Sequence, residues 1–300
     1  MITITFSLDE NKLMFHSTYK EHVKIDFMLF DLNTSLGAFN WWISLDNNQY
    51  CEWVLDPKYI NHSSGFNLKG YIGEELIIDE IFQFKEIDNR FKFSNPGKEL
   101  TYGSWFSLVY DKEYDKYNLN FDSNDVVYDL GANIGVYSMW ALYNNVKQVY
   151  AFEPTPNNVS CLIKTFTEYP NIQIFDKAIS NKNEICQFFT FPHSVCNSLC
   201  YTEGNAINVE SINLEDFINQ NNLLPPTIIK CDIEGTEYEF INSLSDAFFN
   251  SIKFIIIEFH LNSDGKIWSL ISKFLNLGFN ISIAGQTNNS MGTLIIKNKI

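Results

Sequence analysis

Arginine is almost absent from this chain of 300 residues: Arg90 is the single one. The chain therefore has no guanidinium cluster to fork onto phosphates. With a formal net charge of -15, its overall field also repels polyanions. Nucleic acid and anionic membrane surfaces are accordingly not expected as partners. No apolar run approaches the ~20 residues that span a bilayer, so no membrane insertion is expected. After Met1 no basic stretch precedes an apolar core; residues 1–6 alternate instead, and no signal peptide is expected. The six cysteines (51, 161, 186, 196, 200 and 231) lack paired, metal-type spacing. Several lie in apolar, strand-like runs, as reduced buried thiols do. A cytoplasmic, thiol-reduced protein without a resident metal is the expectation. Also missing is any G-x-G-x-x-G, the turn that lets a helix N-terminus approach a pyrophosphate.

What the chain does have is core-forming material, 45% hydrophobic with 16% aromatic, enough for a folded protein of two domains. The first ninety or so residues alternate with a period near two. Strands are expected over 2–8, 12–17, 23–32, 39–45, 65–72 and 75–84, with Asp, Asn, Gly and Ser at the joints. Short strands with no helix between them predict a small β-sandwich over residues 1–92. Its tryptophans, Trp41, Trp42 and Trp53, read either as sandwich core or as a sugar-stacking or docking face. The segment Ser94-Asn95-Pro96-Gly97-Lys98 reads as a linker, placed at 93–105. Over 106–300 the pattern changes. Apolar runs at 126–130, 148–152, 172–176, 227–231 and 253–258 alternate with helical stretches at 135–145, 156–168, 236–246 and 265–277. That alternation predicts an α/β domain with a parallel sheet and crossover helices. Runs 279–284 and 292–297 are too close in sequence for a crossover helix, so a final antiparallel hairpin is expected.

In an open α/β sheet, ligands sit beyond the carboxyl ends of the strands. Three acids fall at such ends: Asp129, Glu153 and Asp232. The first turn, Asp129-Leu-Gly131-Ala-Asn133-Ile-Gly135, is D-x-G-x-x-x-G, with an acid where a pyrophosphate would be repelled. This spacing disfavours a dinucleotide. It favours a cofactor that lacks phosphates and carries positive charge, S-adenosyl-L-methionine.

Four motifs in order, DLGANIG at 129–135, AFEP at 151–154, KCDIEGTE at 230–237 and EFH at 258–260, resemble the FkbM-type S-adenosylmethionine-dependent methyltransferases. The resemblance covers about 106–297. It implies the Rossmann-like class I methyltransferase fold, a mostly parallel seven-stranded sheet with an antiparallel last strand. It further implies that Gly131 and Gly135 let the turn approach the methionine part and that Asp129 helps to hold its ammonium. Asn133 lies in the same turn, in reach of the ligand. Glu153 is implied to accept from the two ribose hydroxyls, and Ala178, after the third strand, to border the adenine.

Methyl transfer to a hydroxyl requires an oriented acceptor and a place for its proton. The candidates are Asp232, Glu234, Glu258 and His260, with Glu237 beside them. Glu258 and His260, two apart on one strand, share a face. Asp232 and His260 are expected to form the acceptor site. A rival is a divalent ion on Asp232, Glu258 and His260. Bland roles stand beside these: Thr236-x-x-Glu239 has the form of a capping box, which would give Glu237 and Glu239 a helix-terminal duty. His260 could equally be a core histidine, and His193 a loop residue over the site. The function expected is O-methylation of a hydroxyl on a sugar, glycan or secondary metabolite, with the N-terminal domain holding an extended substrate or docking on a partner. The competing classes are a non-catalytic cofactor-binding scaffold and an NAD-dependent oxidoreductase.

Overall fold

In the computed structural model, the described residues are 2–7, 12–18, 22–32, 37–46, 49–54, 64–84, 86, 93–94, 119–190, 205–260, 266–287 and 291–299. Most of the expected linker, together with Arg90, His193, Cys196 and Cys200, lies outside them. The chain divides into two compact units, Met1–Phe106 and Ser107–Ile300.

The first unit holds two antiparallel sheets. One joins β1 (Ile2–Ser7), β2 (Lys12–Ser17) and β5 (Tyr50–Val54) in the order β1-β2-β5. The other joins β3 (Val23–Asp31), β4 (Gly37–Leu45), β6 (Gly65–Ile72) and β7 (Glu75–Gln83) in the order β4-β3-β6-β7. Alternation aims Leu13 and Phe15 of β2 and Ile25, Phe27 and Leu29 of β3 inward, where all five are buried. The rings of Phe15 and Phe27 meet across the sheets, 4.8 Å between centroids. Trp42 is no part of that core: it is 61% exposed, with Lys24 over its ring.

The second unit carries the seven-stranded sheet, ordered β10-β9-β8-β14-β15-β17-β16. Its strands are β8 (Val126–Leu130), β9 (Gln148–Phe152), β10 (Ile172–Phe175), β14 (Ile228–Cys231), β15 (Phe254–His260), β16 (Asn280–Thr287) and β17 (Met291–Lys297). Strands β10, β9, β8, β14 and β15 pair in parallel, whereas β17 inserts antiparallel between β15 and β16. Strand β8 is buried along its whole length, as a central strand covered on both faces must be. On one face the cross-strand pair Tyr128–Tyr150 continues into Phe152–Phe175, each with ring centroids 4.9 Å apart. Burying a side chain such as Phe152 contributes about 1.5–3 kcal/mol.

The helices are α1 (Val136–Tyr143), α2 (Pro156–Thr165), α3 (Leu214–Asn221), α4 (Glu237–Ser243) and α5 (Lys266–Asn276). Helix α1 lies on the face that carries Asp129, and α4 contacts β15. One unexpected element is a second small sheet, in which β13 (Asn205–Asn213) pairs in parallel with β11 (Ala178–Ser180) and antiparallel with β12 (Glu184–Thr190). Among the described residues no helix is long and apolar enough to cross a membrane.

Candidate active site

The site is built where β8, β9, β14 and β15 end. Strand β8 runs into a turn in which Gly131, Asn133 and Gly135 all have positive φ (76°, 53° and 91°), before α1 begins at Val136. Both glycines are packing requirements. A Cβ on Gly131 would collide with the Asp232 carbonyl, and one on Gly135 would strike Phe166 and Leu162. No side chain but hydrogen fits at either place.

Two acids beside this turn are buried. Asp129 is fully inaccessible; its Oδ2 accepts from Ser138 Oγ at 2.6 Å, and its Oδ1 lies 3.9 Å from Lys230 Nζ without a hydrogen bond. Burial pushes its carboxyl above the usual carboxylate range, against the Lys230 charge and the Ser138 hydrogen bond. Glu153, at the end of β9, accepts from Asn133 N (2.9 Å) with Oε2, and from Thr155 N (2.9 Å) and Asn158 Nδ2 (3.3 Å) with Oε1. Burial raises it too, opposed by those donors. The bonds lock Glu153 in place, and each carboxylate oxygen has further acceptor capacity. Asn133 Oδ1 is buried without a hydrogen-bond donor. Oxygen acceptors of this kind, short of donors, suit a ligand that brings an ammonium and hydroxyls. They fit S-adenosylmethionine and would repel a pyrophosphate. Ala178 sits buried in β11, packed against Phe188 and Val209.

Strand β14 joins the 131–135 turn to a second group of acids. In its register Lys230 pairs with Asp129 of β8. The Lys230 ammonium donates to the Gly131 carbonyl at 3.0 Å and to Asp232 Oδ2 at 3.2 Å. Asp232 Oδ1 is buried and accepts no hydrogen bond. Because β15 pairs with β14 through Cys231–Ile257, Glu258 and His260 come to the same end as Asp232. His260 is 5% exposed and stands between two carboxylates. Its Nδ1 is 3.0 Å from Glu237 Oε1 and its Nε2 is 3.2 Å from Glu234 Oε2. The second contact is an ion pair out of line for a hydrogen bond.

Charge crowding sets the acid–base properties here. Burial disfavours a charged His260, yet the Glu237 hydrogen bond and the Glu237, Glu234 and Asp232 charges outweigh it and raise the ring to about 9. Glu234 is pushed up to about 8, first by burial and then by the Asp232 charge, with His260 opposing. Glu258 is raised by burial and by Asp232. Among the described residues, Asp232, Glu234 and His260 bring ligand-type atoms within 4.8 Å of one another, so these three, with Glu234 in place of Glu258, are spaced to hold a cation.

One contributor, Lys230, has no role assigned by the sequence; its signal is a lysine inside the otherwise apolar Ile228–Cys231, a strand with neighbours on both sides. Glu237, one of the candidate bases, has a helix-terminal duty as its competing role. The capping box does not form: Thr236 makes no side-chain cap, and its Oγ1 donates to the Ile179 carbonyl. Glu237 instead faces His260. His193 lies outside the described residues.

Residues 129–281 match the family described as Methyltransferase FkbM domain. Among curated proteins, the chain is 24% identical over 146 residues to the hexuronic acid methyltransferase AglP of Haloferax volcanii, covering 48% of this chain and 60% of that protein. It is 22% identical over 205 residues to the 31-O-demethyl-FK506 methyltransferase FkbM of Streptomyces tacrolimicus, covering 57% and 78%. The aligned part thus spans less than two thirds of the first of these relatives. Among solved structures, a precorrin-6y C5,15-methyltransferase from Geobacter metallireducens aligns with a TM-score of 0.37 at 11% identity, over 61% of this chain and 85% of that one.

Proposed function

From the premise that this chain belongs to the FkbM methyltransferase family, we propose that it is an O-methyltransferase whose acceptor is a hydroxyl of a sugar, glycan or secondary metabolite. Its cofactor is S-adenosyl-L-methionine, which supplies an activated methyl group on a sulfonium. In this reading the 131–135 turn receives the methionine end, Asp129 contributes negative charge beneath it, and Glu153 accepts from the ribose hydroxyls. Asp232 Oδ1 and His260 Nε2 face the acceptor oxygen. The proton leaves to the Asp232, Glu234 and His260 group. Glu234, raised to about 8, lies nearest to a working pH and is the fitting place for that proton to rest.

The observation that carries this reading is the convergence of Asp232, Glu234 and His260 next to the donor turn, joined to it by Lys230. The hydroxyl, as opposed to a carboxylate acceptor, is favoured by charge. Asp232, Glu234, Glu237 and Glu258 surround the position, whereas Lys230 and His260 are already engaged by carboxylates. One relative is named for a hexuronic acid and the other for 31-O-demethyl-FK506, and both names support the substrate class. The test uses Asp232→Ala and His260→Ala. Both should still bind S-adenosylhomocysteine and should lose methyl transfer; wild-type turnover in both would end the proposal.

A second reading has one observation in its favour, the ligand-type spacing of Asp232, Glu234 and His260. A divalent ion there would polarise the acceptor hydroxyl directly. Full activity after exhaustive chelation would remove it. A cofactor-binding scaffold without turnover is separated from both by assaying demethylation of labelled S-adenosylmethionine.

A further inference from the structure

We propose that Glu237 is the positioning residue of the acceptor end, fixing the tautomer and the direction of the His260 ring. This rests on the reading that His260 Nε2 faces the acceptor. Glu237 is fully buried at the first residue of α4, where a carboxylate without partners would be costly. Both of its oxygens accept from the Gly235 N–H, at 2.9 and 3.1 Å. That anchors the carboxylate against its own turn and leaves Oε1 directed at His260 Nδ1, 3.0 Å away.

An ionised carboxylate can only accept, so the proton of this contact sits on Nδ1. The consequence is for the other nitrogen. With Nδ1–H committed to Glu237, Nε2 is turned to the opposite side, toward Glu234 at 3.2 Å and the Asp232 carboxylate. Nε2 has no aligned hydrogen bond of its own, and His260 is at the end of β15 with almost no exposed surface. Among the described residues no further hydrogen bond of the ring selects one nitrogen over the other. Orientation of a functional imidazole by a buried acceptor on its far nitrogen is a general device. A helix-terminal charge would need no histidine in contact.

The experiment is ring ¹⁵N NMR of the full chain saturated with S-adenosylhomocysteine, the His260 signals being assigned by their loss in His260→Gln. In the wild type Nδ1 should carry a proton at every pH, with Nε2 the nitrogen that changes. In Glu237→Gln the neutral ring should redistribute, with the Nδ1–H form falling from essentially all to a minority, while S-adenosylhomocysteine affinity stays within about threefold. A wild-type ring whose Nδ1 loses its proton overturns the proposal even if the variant does not fold. So does a Glu237→Gln ring identical to wild type. A His260→Ala enzyme with wild-type transfer instead overturns the acceptor-site reading, and with it any use of the orientation, so the two failures are read separately.

Discussion

A Cβ placed on Gly131 would lie 1.8 Å from the carbonyl oxygen of Asp232. The 131–135 turn and the strand end that carries Asp232 are thus in backbone contact, and Lys230 fastens them a second time through the Gly131 carbonyl and Asp232 Oδ2. If methyl donor and acceptor bind as proposed, β8–β14 pairing sets the spacing between them.

Gly131→Ala should therefore be severe. The neighbour it meets is backbone, and the residue sits at φ 76°. A left-handed conformation (~1–2 kcal/mol) and overpacking (~1–3 kcal/mol) together predict a loss of roughly 2–5 kcal/mol in urea unfolding. Gly278→Ala is the control: φ is 89° but nothing lies within 4 Å of the added atom, so only the conformational cost of ~1–2 kcal/mol is expected.

Lys230→Met should destabilise by about 3–5 kcal/mol, because fully buried Asp129 and half-buried Asp232 lose their cation together. Adding Asp129→Asn should recover a large part of that loss, since it removes the stranded charge. Denaturant titrations of the two single variants and the double close the cycle. Additive losses would mean that Lys230 stabilises by packing and not by pairing.

Glu153→Gln should weaken S-adenosylhomocysteine binding by roughly tenfold to a hundredfold, the size of one lost charge-assisted hydrogen bond. Titration calorimetry measures it directly. The ligand's thermal stabilisation of the wild type should shrink accordingly in the variant, and NAD should stabilise neither.

Stability should fall as pH rises from about 5 to 9. Glu234 is raised from 4.5 to about 8 and His260 from 6.5 to about 9, so between each pair of values the native state holds more protons than the unfolded chain. A state that binds more protons loses ground as protons are withdrawn. Each contribution is complete below the unfolded value and is gone above the folded one. In metal-free buffer, melting temperatures across this window should decline, and His260→Gln should flatten the part above pH 6.5. A slope that His260→Gln leaves unchanged would place the titrating group elsewhere.

Much of the catalytic unit was legible because its strands are covered on both faces. Val126–Leu130 and Phe254–Ile257 read as continuous apolar runs, and the acids stood at their ends. The closing hairpin followed from a connection too short for a helix. Strand β5 was missed since apolar Tyr50 and Val54 stand on its exposed face as Cys51 and Trp53 do on the other, so no period-two alternation marks it. Strand β13 was missed because its inward face carries only Ile207 and Val209 between the polar Asn205 and Ser211, and its partners are distant or brief in sequence. Around the site, sequence order showed which acids share a strand end. It could not show that Glu237 turns toward β15, because the competing capping pattern was equally well formed. That competition was decided by Thr236, whose hydroxyl is committed to the Ile179 carbonyl.

The central claim is transfer of a methyl group to a hydroxyl oxygen at the Asp232–His260 end. The most direct measurement is incubation of the enzyme with [methyl-¹³C]S-adenosylmethionine and an equimolar mixture of neutral sugars, hexuronic acids and amino sugars, read by ¹H–¹³C correlation NMR. A methyl ether on a neutral hydroxyl, absent with His260→Ala, is the predicted product. A methyl ester or an N-methyl signal as the product would contradict it.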